Sequence, residues 1–430
     1  MAETSQTPTA LEPLRALRYD QAKVDLANVV APPYDVISPS DRERLLARDP
    51  HSVVNLILPE SPGRAADLLH DWRRDGTLVR DADPTVWWHE QNFVGPDGSE
   101  RSRAGFLAAV RLSPYESGRV RPHEQTHASA KQNRLDLIRA TRTNLSPIFG
   151  LYDDPDGGPR AALAAVAEHQ PDMHVLDDDG TDHRFWAVTD PAAIAATQAA
   201  LADREILIAD GHHRYETALN YRLERREADG NPSADQPYDF MLMYLANLHG
   251  EGLAIFPTHR VVMGNRDLTP DLLNAFSVRE LTVTPAQLEA ELATIPAETV
   301  AFGVWRGPDR PALVCTLADR SAVMMAMSGS PAALRKIDAA VLEAVILSPM
   351  LGLLEHPEQF ATTDAVRYVR DLDTAAGHVD AGDAAAAFML RAPTVSQVQE
   401  VARAGRVMPQ KSTYFYPKLY SGFLINPLED

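Results

Sequence analysis

The sequence predicts a mixed α/β (α+β) fold built in more than one domain. Its length of 430 residues exceeds what one ordinary hydrophobic core encloses, so two or three domains are expected. Short apolar, β-branched runs alternate with Ala/Leu-rich stretches of helical period along the whole chain. Strands and helices that mix in this way, with polar strand-to-helix junctions between them, belong to the α/β or α+β classes. No internal repeat or low-complexity stretch suggests a solenoid.

Residues 1–10 are polar and rich in Thr, Ser and Pro, and read as a disordered tail. An N-terminal α/β domain is expected over 11–117. Within it, 29–37 reads as a strand interrupted by the rigid Pro32-Pro33 turn, because proline fixes φ and removes a donor. Ser38, ahead of Pro39, caps a helix running to 47. The 52–58 run reads as a strand and 64–75 as a helix. The runs 85–93 and 103–112 read as strands joined by a Gly-Pro-Asp-Gly turn. A core domain over 118–262 follows, with a polar segment at 121–134, a helix near 135–141, strands at 148–152 and 206–209, a helix over 191–201 and an apolar run at 238–248. A C-terminal α/β domain is expected over 263–404, with helices near 337–346 and 395–404. The tail 405–430 is polar and aromatic, and reads as a segment returning to a site.

Composition excludes several function classes. A net charge of −19 argues against a general nucleic-acid binder, which depends on a basic surface that releases counterions. Cys315 is the only cysteine, so no intrachain disulfide and no Cys-rich zinc cluster can form. The N-terminus lacks the basic and apolar regions of a secretory signal, and no run approaches the ~20 apolar residues needed to cross a bilayer. The expectation is a cytoplasmic protein with no nucleic-acid or membrane partner, acting on small molecules; a homo-oligomer is compatible with it.

Chemistry concentrates where the apolar run 206–209 meets Asp210-Gly211-His212-His213-Arg214 and a helix-forming sequence. A strand that delivers polar groups to a helix N-terminus offers backbone N–H groups and a partial positive charge to an anion. Gly211 permits close backbone approach, His212, His213 and Arg214 would contact phosphoryl oxygens, and Asp210 would orient a metal or a hydroxyl. A second cluster, Arg121-Pro122-His123-Glu124-Gln125-Thr126-His127, contains the H-E-x-x-H spelling of zinc peptidases. Pro122 and the Gly-rich turn upstream make a poor helical setting, so Glu124 reads instead as a loop general base. Lys131 and Arg134 lie one helical turn apart and read as phosphate contacts. In the tail, Lys411, Ser412 and Tyr414 read as a cover that contributes Lys411 to a small anionic ligand. Lysines are scarce, which singles out Lys131, Lys411 and Lys418. Asp35, His259 and Arg260 are further site-lining candidates, and Trp87 and Trp88 read as structural.

These residues carry a resemblance. The segments 30–37, 144–152, 209–219, 257–260 and 408–419 resemble a large bacterial and archaeal family catalogued as domain of unknown function 1015, over nearly the whole chain after residue 10. More remotely, Pro122-His123-Glu124 followed by Asp210-Gly211-His212-His213-Arg214 is similar to the pattern of small free-serine kinases of the ParB/sulfiredoxin-like fold. Far more residues separate Glu124 from Asp210 here than in those kinases. The resemblance implies a ParB/sulfiredoxin-like core around the Asp-Gly-His-His-Arg turn, with Glu124 as base toward the serine hydroxyl and Asp210 as a second acidic, Mg²⁺-positioning residue. His212, His213 and Arg214 become the phosphate cradle, with Lys131 and Lys411 alongside. It further implies Mg²⁺ as cofactor, and free L-serine with pyrophosphate or a nucleotide as substrates. Two alternatives remain open at this stage: a non-catalytic sensor of a nucleotide or phosphate ligand, and a metal-dependent hydrolase using His123, His127 and His212.

Overall fold

A computed structural model describes residues 10–124, 128–266, 268–353 and 363–429, with the side chains of 128–131 left undescribed. The chain forms two compact units. The first comprises 1–121, 126–254 and 417–430; the second comprises 122–125 and 255–416. The architecture is mixed α/β in both.

The first unit is organised by a nine-stranded mixed sheet. Its order is Val120–Arg121, Ile206–Asp210, Ile148–Tyr152, Phe240–Asn247, Glu100–Arg111, Val86–Val94, Asp182–Val188 and Met173–Leu176, with Leu11–Glu12 paired onto Glu100–Arg111. The 11–117 and 118–262 segments expected to be separate domains therefore share one sheet, since Phe240–Asn247 pairs antiparallel with Glu100–Arg111. Backbone pairing overrides the boundary suggested by composition.

Side chains alternate across the strands, as the pleat requires. On one face Val86, Trp88, Phe106, Ala108, Ile148 and Ile208 join a core completed by Tyr215 and Ala218. On the other, His89 stacks on Phe185 at 3.9 Å, and Phe185 meets Phe423 of the C-terminal segment at 4.7 Å. Trp87 and Trp88 are both buried, in the structural role expected of them.

Several local expectations hold and two change. Ser38 caps Pro39–Leu46 through a full capping box with Asp41. The 29–37 segment is not a strand: Leu26–Val29 is a short helix capped by Asp25, and Tyr34–Val36 is a 3-10 turn behind Pro33. The β-branched 52–58 run likewise contains a helical turn, Val54–Ile57, whose Val54, Leu56 and Ile57 are all buried. Burial of three side chains outweighs the β preference of Val53 and Val54.

The second unit carries a six-stranded sheet in the order Phe276–Leu281, Ala312–Leu317, Ala301–Trp305, Ala384–Met389, His259–Met263 and Val366–Val369. Helices Pro285–Ala293 and Leu372–Asp380 bury Leu288, Leu292, Ala375 and Ala376 against it. This unit takes in the whole of the expected 263–404 domain, with 255–262, the start of the tail and Pro122–Gln125 added to it. The helix expected at 337–346 is regular only over Asp338–Leu342 and then widens into a π-helical turn, Glu343–Leu347.

Candidate functional site

In the first unit the chemistry gathers at the end of Ile206–Asp210. This strand is apolar because it lies inside the sheet, between Val120–Arg121 and Ile148–Tyr152. Its register with Ile148–Tyr152 slips between Ile208 and Asp210. Such a bulge re-aims the next side chain. Gly211 follows at φ +97, where a Cβ would also lie 3.1 Å from the Arg214 guanidinium. The 17-residue helix His212–Ala228 starts there. Further along, Arg222 and Arg226 clamp this helix onto the buried carboxylate of Asp239, at 2.7 and 2.6 Å. Tyr215 adds hydrogen bonds to both backbone groups of Ser113.

Asp210 is bound on both oxygens. Oδ1 accepts from Lys418 Nζ at 2.7 Å, and Oδ2 from Arg214 at 2.8 Å. Burial disfavours its ionisation, but Lys418, Arg214 and the neighbouring His212 outweigh that and hold the carboxyl well below the usual carboxylate range. Arg214 also donates to the Pro147 carbonyl. Arg134 lies 4.2 Å over the Tyr34 ring and donates to the Ile57 carbonyl at 2.6 Å. Burial raises the Tyr34 hydroxyl pKa, against Arg214 and Arg134 and with Asp35 and Asp210, so all five side chains share one electrostatic neighbourhood. A pocket of about 60 Å³, lined by Tyr34, Arg134, Ser146, Arg214 and Thr217 among others, opens beside them.

Lys418 is singled out in the sequence, but only the fold gives it a partner. Its own position is braced one residue earlier, where the Pro417 carbonyl accepts from Arg103 at 2.8 Å. Arg103 is wholly buried, donates to Gln91 Oε1 at 3.0 and 2.6 Å, and lies over the Phe149 ring at 4.6 Å. The scarcity of lysine was the one available signal for Lys418.

The second unit holds the other group. The tail does return to Glu124: Oε1 accepts the Lys411 backbone N–H at 2.7 Å, and the His123 carbonyl accepts from Met408 at 2.7 Å. What Lys411 gives to this contact is its amide rather than its ammonium, and its left-handed φ of 56 aims that amide. His123 is buried, with Nε2 2.7 Å from Thr413 Oγ1. Ser412 Oγ donates to the Pro409 carbonyl at 2.6 Å, turning the segment. Tyr414 receives the Arg370 guanidinium at 4.0 Å from its ring.

Arg260 binds this turn from below, donating to the carbonyls of Lys411 and Gln410 at 3.2 and 3.1 Å while lying 4.7 Å over Tyr368. Burial works against its charge, and Tyr368, Glu343 and Glu124 work for it. Glu343, at the start of the π-helical turn, has its carboxyl pushed up to about 7 by burial, with Arg260 opposing. No sequence pattern marked Glu343, because only the fold brings it to Arg260. His259 faces a different part of this unit, its Nδ1 accepting from Leu390 N–H at 3.2 Å.

The candidate residues therefore divide. Asp35, Arg134, Asp210, Gly211, His212, His213 and Arg214 belong to the first unit, and His123, Glu124, His259, Arg260, Lys411, Ser412 and Tyr414 to the second. His127 and the Lys131 side chain lie outside the described residues. Among the described residues, no group of three or more His, Cys, Asp or Glu side chains converges as a metal site. Asp210, with a cation on each oxygen, does not by itself fit a resident Mg²⁺, which takes near-octahedral oxygen donors. Among the described residues, no helix is long and apolar enough to cross a membrane.

Several solved structures are similar at low identity. A conserved hypothetical protein from Pyrococcus furiosus aligns at 15% identity and TM-score 0.35, covering 73% of this chain and 92% of that one. A free serine kinase in complex with AMP aligns at 14% and 0.37, covering 75% and 91%. A C-terminally truncated SbnI from Staphylococcus aureus aligns at 11% and 0.32, covering 75% and 87%. The resemblance to all three is remote. No curated protein matches the chain. The profile of a family described as "Protein of unknown function (DUF1015)" matches residues 11–348, most of the sequence, and the chain belongs to that family.

Proposed function

We propose that this protein is a small-molecule phosphotransferase that phosphorylates free L-serine to O-phosphoserine, with pyrophosphate or a nucleotide as donor. The observation that carries the reading is the cationic strand end at Asp210. There Lys418 and Arg214 are held at 2.7 and 2.8 Å on one carboxylate, at the N-terminus of a 17-residue helix. Phosphoryl transfer asks mainly for positioning and for stabilisation of charge on phosphate oxygens. The ammonium and guanidinium groups put concentrated positive charge at this strand end, which favours a phosphate anion there. Arg134, His212 and His213 extend the cradle, and Gly211 keeps the backbone open to it.

Glu124 is the base in this reading. In the transfer the serine hydroxyl gives up its proton, the serine oxygen bonds to the transferred phosphorus, and the bond from phosphorus to the leaving phosphate oxygen breaks. The amide of Lys411 holds one Glu124 oxygen and so limits its rotation. The similarity of Pro122-His123-Glu124 and Asp210-Gly211-His212-His213-Arg214 to the free-serine kinase pattern supports the choice of acceptor. Because Asp210 does not make a magnesium site on its own, Mg²⁺ in this reading arrives already bound to the donor phosphates.

The test is direct. The protein is incubated with Mg²⁺, L-serine and pyrophosphate, ADP or ATP in turn, and phosphoserine is measured by mass spectrometry. Formation with one donor, abolished in Glu124→Gln while circular dichroism stays unchanged, is the expected result. Absence of phosphoserine with every donor in a folded sample overturns the reading.

A further inference from the structure

The second unit has an open pocket of about 300 Å³ that the phosphotransfer reading does not use. That volume is at the lower end of small-molecule pockets. Its walls are aliphatic, with Leu292, Ile295, Ile337, Met389 and Leu390. Arg391 and Asp338 also line it, but they are spent on each other and on the backbone. Their two contacts are 2.9 and 3.0 Å, and Arg391 donates in addition to the carbonyls of Ile295, Pro296 and Thr299. They brace the cavity and leave its polar recognition to other groups.

Gln397 is likewise spent on the Thr394 N–H and the Ala297 carbonyl, and three groups remain. His259 is buried, and its Nδ1 accepts the Leu390 N–H at 3.2 Å, which puts the ring proton on Nε2. Burial, then Arg260, push its pKa down to about 4, against Asp371, so the ring is a neutral donor at neutral pH. Glu289 is exposed and forms no hydrogen bond or ion pair among the described residues, and burial of its carboxyl against the apolar wall raises its pKa. Lys336 carries the opposite charge, and among the described residues its ion pair is a long one, 3.8 Å to Glu400 between two exposed side chains. A carboxylate and an ammonium group bordering one aliphatic cavity match a ligand that carries both charges on an apolar body. The phosphates of a nucleotide would be repelled by Glu289, and a plain hydrocarbon would leave both charged groups unused.

We propose that this cavity binds an α-amino acid with an apolar side chain, its ammonium group at Glu289, its carboxylate at Lys336 and its side chain among Leu292, Ile337 and Met389. The site is independent of the phosphotransfer reading and stands or falls without it.

The experiment is calorimetric titration of the full chain with L-leucine, L-valine and L-phenylalanine, with N-acetyl-L-leucine and L-leucinamide as probes lacking one charge. At least one apolar amino acid binds with one-to-one stoichiometry, and each single-charge probe binds roughly tenfold more weakly, the loss expected of one charge-assisted hydrogen bond. Ala293→Trp, which fills the cavity, abolishes binding. Glu289→Gln, an exposed change that leaves folding intact, weakens the amino acid while leaving the N-acetyl probe unaffected. No heat with any of the three amino acids at millimolar concentration overturns the proposal, as does a Glu289→Gln variant that binds them as the parent does.

Discussion

Replacing Lys418 by methionine keeps most of the side-chain volume and removes one of the two cations on Asp210. The pair is mostly shielded from water, with side-chain exposures of 12% and 17% and a separation of 2.7 Å. A hydrogen bond to a charged group in such a place contributes roughly 1.5–3 kcal/mol. Stripping every partner from a buried ion would approach ~3–5 kcal/mol, but Arg214 still holds Oδ2, so about 2 kcal/mol is expected at pH 7. For a unit of this size that is a fall of about 3–4 °C in the melting transition. The sign with pH follows from the depressed carboxyl. Its contribution is fully present above the ordinary aspartate range and is lost only as pH falls through the lower native value. In Lys418→Met the native value moves up, so the acid limb of the stability curve moves to higher pH. The assay is thermal and urea unfolding from pH 7 down to the acid limb for the parent, Lys418→Met, Asp210→Asn and the double variant. Coupling appears as a double variant less damaged than the sum of the singles. A single variant within about 0.5 kcal/mol of the parent, or strict additivity, refutes the reasoning.

Three further outcomes are expected. The Glu343 carboxyl, raised from 4.5 to about 7, contributes stability that is fully present below its unfolded value and is lost as pH rises through 7. Over that window the loss is roughly 3 kcal/mol, and urea unfolding of Glu343→Gln should show a flatter slope between those limits; an unchanged slope contradicts it. Arg103→Met strands Gln91 Oε1 and the Pro417 carbonyl, lowering stability by about 3 kcal/mol by urea unfolding and loosening Lys418, whereas a neutral result would show that Arg103 braces nothing. Gly211→Ala forces a Cβ at φ +97 and 3.1 Å from the Arg214 guanidinium, and a fall of about 1–2 kcal/mol in unfolding free energy should accompany it, with no fall if the turn can flatten.

The strand-to-helix junction at Asp210 was legible in the sequence because every part of it is local. The apolar run, the acid, the glycine that tolerates positive φ and the helix formers follow one another in order, and Ile206–Asp210, Gly211 and His212–Ala228 take those conformations. The Ser38 cap and helices such as Pro191–Leu201 and Val395–Arg403 were legible for the same reason. The 52–58 run was misread because β-branched propensity is weak beside the burial of Val54, Leu56 and Ile57 in a helical turn.

The sequence by itself determined the mixed class and the strand-to-helix junction of Ile206–Asp210 and His212–Ala228. Tertiary structure alone decided which partners those groups have. Lys418 reaches Asp210 across 208 positions, Lys411 meets Glu124 across 287, and Arg103 meets Pro417 across 314. Contacts of that separation leave no local periodicity to read. They are set by which strands pair, since one sheet takes in 11–117 and 118–262 together, and by burial, which makes Arg103, Arg260 and Glu343 consequential only once water is excluded.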